Sequence, residues 1–89
     1  MPQRTLRIQN KYGIHMKPAS LFVSEAGKYK SHIEISKDDM KVNAKSIIGV
    51  MMLAATKDSL ITIEAEGEDA EDALDNLEDL VIRRKFDEE

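Results

Sequence analysis

His32-Ile33-Glu34-Ile35-Ser36-Lys37-Asp38-Asp39-Met40-Lys41-Val42-Asn43-Ala44 decides the architecture. Residues 32–36 and 40–44 each alternate polar with apolar, the period of a strand with one face on a core and the other in water. Lys37-Asp38-Asp39 between them is short and polar, so the two runs read as an antiparallel hairpin. The same period recurs upstream in Thr5-Leu6-Arg7-Ile8-Gln9, with Leu6 and Ile8 inward, and downstream in Leu60-Ile61-Thr62-Ile63-Glu64-Ala65. Strands of this kind keep one wet face, so every helix must cover the other.

Three helical segments are available for that cover. Ala19, Phe22, Val23 and Ala26 fall at i, i+3, i+4 and i+7, and Gly27 stands where a C-cap belongs. A short helix begins at about Ile47 with Ser46 as its N-cap. Gly67 ends the fourth strand, and Asp69 is expected as an N-cap or first-turn carboxylate of the last helix. In that helix Ala70, Ala73, Leu74, Leu77, Leu80 and Val81 keep helical spacing. Glu68, Asp69, Glu71, Asp72 and Asp75 crowd its start and Arg83, Arg84 and Lys85 its end, both matching the helix dipole. The order is β-α-β-β-α-β-α, an open-faced α+β sandwich with neither internal repeat nor linker, and residues 1–89 are read as a single domain.

Composition narrows the function. The 89 residues are 42% hydrophobic and 34% charged, enough for one real core and a well-solvated exterior. There is no cysteine, so disulfides and thiolate metal sites are excluded, and no metal or other cofactor is expected. A formal charge of -4 and 4% aromatic residues argue against nucleic acid as a partner. No apolar run reaches the length of a bilayer span and no signal-peptide core opens the chain, so the expected setting is cytoplasmic, away from membranes.

Chemistry concentrates in Gly13-Ile14-His15-Met16-Lys17-Pro18-Ala19. Pro18 belongs in a first helical turn, where N–H groups lack intrahelical partners and the proline φ already suits the helix. Those N–H groups and the positive end of the dipole favour an anion, and phosphate fits well. An imidazole at the same place is a nucleophile in reach of neutral pH, and the dipole disfavours its positively charged form. Cations gain nothing from a helix N-terminus, so Lys17 beside His15 hints at an anion between them.

Over nearly its full length the chain resembles the histidine-containing phosphocarrier (HPr) family of the phosphoenolpyruvate-dependent phosphotransferase system. The match is carried by Gly13-Ile14-His15 with Pro18-Ala19, by Ala44-Lys45-Ser46-Ile47-Ile48-Gly49-Val50-Met51, and by Glu64-Ala65-Glu66-Gly67-Glu68-Asp69-Ala70. The resemblance implies a four-stranded antiparallel sheet covered on one face by three helices. It implies that His15 accepts a phosphoryl group through Nδ1 from enzyme I and passes it to a IIA domain, with Lys17 stabilising the phosphate. It implies docking of partners through Ile47, Ile48 and Met51, and a regulatory phosphorylation of Ser46 by HPr kinase/phosphorylase in hosts that have it. Such a chain is a carrier rather than an independent enzyme, and a monomer. Two departures stand out. Lys17 replaces the usual arginine, giving a point charge for a bidentate fork. Asp58 occupies a turn position where the family commonly has glycine, which aspartate tolerates. The sugar-transport and nitrogen-regulatory branches are not separated by these residues.

Other features have blander readings. His32 has neither a second histidine nearby nor metal-ligand spacing, and reads as an ordinary exposed strand residue. Ser46 is explained as a cap, although a phosphate there would block docking by charge without unfolding the domain. The segment from Ile47 to Ala55 has no charged residue. Val50, Leu53 and Ala54 are expected toward the sheet, with Ile48, Met51 and Met52 on the opposite side beside His15. Two rivals to the carrier remain open: a regulatory binding module controlled by Ser46 with vestigial transfer at His15, and an assembly domain that oligomerises through the second helix.

Overall fold

Four period-two segments become four strands: β1 (Gln3–Arg7), β2 (His32–Lys37), β3 (Met40–Asn43) and β4 (Leu60–Glu66). They form one antiparallel sheet in the order β1-β4-β2-β3. The helices are α1 (Met16–Ala26), α2 (Ile47–Met52) and α3 (Ala70–Glu78), the last continued by a π-helical turn over Asp79–Arg83. This is a computed structural model, and it describes residues 2–88.

The register explains why one sheet face is dry. Leu6 pairs with Ile61, Ile35 with Ile63 and Ile33 with Ala65, and all six are buried. α1, α3 and the π-helical turn close over them with Phe22, Leu74, Leu77 and Val81, each fully buried. Burying each such large side chain is worth about 1.5–3 kcal/mol, so the covered face dominates stability. The other face is polar: Thr5 and Thr62 hydroxyls pair at 3.0 Å, and Lys41 Nζ lies 2.8 Å from Glu64. Arg4 joins the layers, donating to Glu78 at 2.7 Å, Asp75 at 2.9 Å and Glu71 at 3.1 Å along one face of α3. These three carboxylates raise the Arg4 guanidinium above its already high ordinary value.

Turn chemistry is largely as anticipated. Asp38 in the β2–β3 connection has φ 55 and Asp58 has φ 74, so both aspartates take left-handed conformations that they tolerate better than most residues.

Gly27 is the C-cap of α1, as expected, in right-handed conformation at φ -66 with its N–H bonding Val23 O at 2.9 Å. Two local expectations need correction. Asp69 holds the N-cap position of α3 without capping it. Its carboxylate instead accepts from the N–H of Lys30 at 2.9 Å, the N–H of Ser31 at 3.0 Å and the Ser31 hydroxyl, tying α3 to the start of β2. Those bonds, led by the Ser31 hydroxyl, hold the Asp69 carboxyl below the usual range. Finally, Ala54 does not face the sheet. α2 stops at Met52, Ala54 turns left-handed at φ 51 into solvent, and Ala55 is buried in its place.

Candidate functional site at the start of the first helix

The loop before α1 is built to hold its last residue still. Gly13 N–H donates to Asn10 O at 3.1 Å, and Ile14 N–H donates to Ala55 O at 2.8 Å. Gly13 has φ 66 and packs on the α2–β4 connection so closely that a Cβ would press on Ala55 O and lie 2.8 Å from Thr56 Cα. Only glycine satisfies both demands. Ile14 is buried, and the next residue, His15, emerges as the N-cap of α1.

His15 caps through its backbone alone: its carbonyl accepts Ala19 N–H at 2.9 Å, and its side chain makes no capping bond. The N–H groups of Met16 and Lys17 precede that first helical bond, and Pro18 has none to leave unpaired. The imidazole is therefore free for other partners. Its Nε2 lies 2.8 Å from Glu88 Oε2, and the other oxygen of Glu88 accepts from Asn10 Nδ2 at 2.9 Å. Asn10, itself buried, also donates to Gly13 O at 2.7 Å. The Tyr12 ring stands edge-on to the imidazole, centroids 6.2 Å apart. Nδ1 has no hydrogen-bond partner among the described residues.

Glu88 arrives through a left-handed turn at Lys85, Phe86 and Asp87, with φ of 47, 57 and 60. Fully buried Phe86 anchors the turn, and Arg84 clasps Asp87 through Nε at 3.0 Å and through its terminal nitrogen at 2.7 Å. The Asp87 carboxyl is held below the usual range, first by Arg84 and then by the charge of Lys17. His15 and Lys17 thus both face the 84–88 segment. Lys17 is exposed.

Ser46 is the N-cap of α2, its Oγ accepting Gly49 N–H at 3.1 Å. Val50 and Leu53 are buried, whereas Ile47, Ile48 and Met51 are exposed, Ile48 by 71%. Met52, expected on that side, is exposed by 61%, and Met16 in the first turn of α1 by 65%. α1 and α2 pack together, and the Ile14–Ala55 bond joins the His15 loop to the exit of α2. His32 pairs with Glu34 at 3.2 Å on the open face, away from these residues.

Reading the sequence alone missed Asn10, Tyr12 and Glu88. Asn10 and Tyr12 lay in the loop but had no periodicity to mark them. Glu88 meets His15 across 73 residues, and no local pattern signals that contact.

Comparison with known proteins fits this geometry. The sequence model described as the phosphorylation site of the PTS HPr component matches residues 2–83. The HPr-like protein Crh of Bacillus subtilis is 43% identical over 77 residues, covering 86% of this chain and 91% of Crh. The phosphocarrier protein HPr of Treponema pallidum is 42% identical over the whole of both chains. A crystal structure of HPr from Thermoanaerobacter tengcongensis superposes with a TM-score of 0.94 at 46% identity, covering 100% of this chain and 99% of that one. Another from that organism, at TM-score 0.78 and 46% identity over 99% and 100% of the two chains, is described as an HPr dimer. A match across most of the sequence, the same open sheet under three helices and a histidine at the first helix N-terminus lead to one conclusion: this chain belongs to the HPr family of the phosphotransferase system.

Proposed function

We propose that this HPr-family phosphocarrier takes its phosphoryl group on His15 from phosphorylated enzyme I and delivers it to a IIA domain in the cytoplasm. The observation that carries the reading is a His15 Nδ1 with no partner among the described residues, at the N-terminus of α1 beside the N–H groups of Met16 and Lys17. The Nδ1 lone pair forms a bond to phosphorus as the donor's bond to phosphorus breaks, and that bond's electron pair leaves with the donor. Nε2 keeps its proton. The negative phosphoryl oxygens then meet the positive end of the helix and the Lys17 ammonium. The return step to the acceptor is the same exchange reversed.

Ile47, Ile48 and Met51, continued by Met52 and Met16, form the docking surface in this reading; flexible methionine suits a face that meets two different partners. A phosphate on Ser46 would set about two negative charges at the edge of that apolar surface and oppose docking. A relative described as Crh, the Bacillus subtilis catabolite repression HPr, supports a second reading, a regulatory module governed by Ser46 with little transfer through His15. We retain the monomer as the working state, and sizing under native conditions checks it against the dimer described for a solved relative.

The test is delivery. With phosphoenolpyruvate, enzyme I and a IIA domain, label should reach the IIA domain only when this chain is added, and Ile48→Glu should slow both steps. A chain that accepts no label but still binds a partner when Ser46 is phosphorylated would favour the regulatory module instead.

A further inference from the structure

We propose that Glu88, held by Asn10, is a positioning residue that keeps the proton of neutral His15 on Nε2 and so leaves Nδ1 as the nucleophile. The inference rests on the carrier reading above and adds residues to it.

The polarity of the chain of bonds can be worked out from its buried end. Asn10 meets two groups that only accept, Gly13 O and Glu88 Oε1, so its amide nitrogen must face both. An ionised carboxylate has no proton to give, so Glu88 Oε2 can only accept, and His15 Nε2 must be the donor at 2.8 Å. A neutral imidazole carries one ring proton. With that proton on Nε2, the in-plane lone pair belongs to Nδ1, on the side of the ring away from the carboxylate. The arrangement separates the two charges that would otherwise compete: Glu88 holds one edge of the ring, and the incoming phosphoryl group meets the other.

The route by which Glu88 reaches the ring supports a positioning role. Three successive non-glycine residues take left-handed φ to bring it there, a conformation that persists only where the surroundings enforce it. Burial of Phe86 and the double Arg84–Asp87 contact provide that enforcement. The Glu88 side chain is 20% exposed, against 48% for Asp87, so its bond to His15 is partly shielded from water.

Ring nitrogen NMR of the intact 15N-labelled protein at alkaline pH reads the tautomer directly, because protonated and unprotonated imidazole nitrogens resonate far apart. The wild type should show His15 as the Nε2-protonated form alone. Glu88→Ala should give a mixture of both tautomers and slow phosphoryl uptake from enzyme I by about two- to fivefold. Glu88→Gln should fall between them, since its NH2 must oppose that of Asn10 or face Nε2. An unchanged tautomer in Glu88→Ala overturns the proposal, as does a changed tautomer with unchanged uptake. A wild type that takes up no phosphoryl group refutes the carrier reading instead, while the NMR comparison still decides whether Glu88 orders the ring.

Discussion

Replacing Gly13 with alanine attacks the loop that carries His15 through two independent features. The backbone at φ 66 is left-handed, which costs an L-residue about 1–2 kcal/mol. The added Cβ would press on Ala55 O and lie 2.8 Å from Thr56 Cα, both backbone atoms that cannot rotate aside. Forcing such an atom into a packed region costs about 1–3 kcal/mol. Against this, losing glycine's freedom in the unfolded chain returns about 0.4–1 kcal/mol. The net is a destabilisation of about 3 kcal/mol, a large share of what a small domain has. Thermal unfolding followed by circular dichroism should show Tm falling by roughly 10–25 °C. Gly27→Ala is the control. Its φ is -66 and the nearest atom to the new Cβ, Val23 O, is 3.3 Å away, so stability should change by less than about 1 kcal/mol. If Gly13→Ala unfolds within a degree or two of the wild type, the loop is not pinned to the α2–β4 connection as described. The argument for a fixed His15 then fails with it.

Four further outcomes are expected. Ser46→Ala removes the bond to Gly49 N–H and should cost about 1 kcal/mol in urea denaturation while leaving phosphoryl uptake at wild-type rate. Lys17→Arg should preserve or speed uptake, since a planar fork replaces a point charge; a clear loss would mean that the partner surfaces are matched to lysine. Asp69 is held below the usual carboxyl range by Ser31 and Lys30, so its contribution is complete above the unfolded aspartate value. It is lost as pH falls through the lower folded value. Asp69→Asn should accordingly flatten the acid limb of the stability–pH curve, read by denaturation at a series of acidic pH values; an unaltered limb would rule out that linkage. Arg4→Ala should lower stability by no more than about 1–2 kcal/mol despite its three partners, because Glu71 and Asp75 are well exposed, and high salt should shrink the difference.

The sheet was readable because its signal is local and repetitive. Leu6, Ile8, Ile33, Ile35, Ile61 and Ile63 alternate with polar neighbours, and all six are buried. The last helix was readable for the same reason, each of its six marked apolar positions being buried. Errors arose where a single backbone angle overrides periodicity. Extending the 100° helical step through Ala54 placed it inward, but α2 had already ended and the left-handed Ala54 exchanged faces with Ala55. Asp69 sat where a cap belongs, yet the N–H groups of Lys30 and Ser31 claim its carboxylate from the loop before β2. Local pattern marked His15 and Lys17 through the proline behind them. It had no means of marking Glu88, whose approach depends on three consecutive left-handed residues and on Phe86 finding the core from a short charged stretch.

Whether His15 accepts the phosphoryl group can be read from intact mass. The protein is incubated with phosphoenolpyruvate and active enzyme I, weighed, then weighed again after brief acid treatment, with His15→Ala alongside. His15→Ala should remain folded, because the side chain is exposed and takes no part in capping α1. A gain of one phosphoryl group is expected in the wild type, lost in acid and absent from the folded His15→Ala protein. The same gain in His15→Ala, or an acid-stable one in the wild type, would place the phosphoryl group elsewhere and contradict transfer through His15.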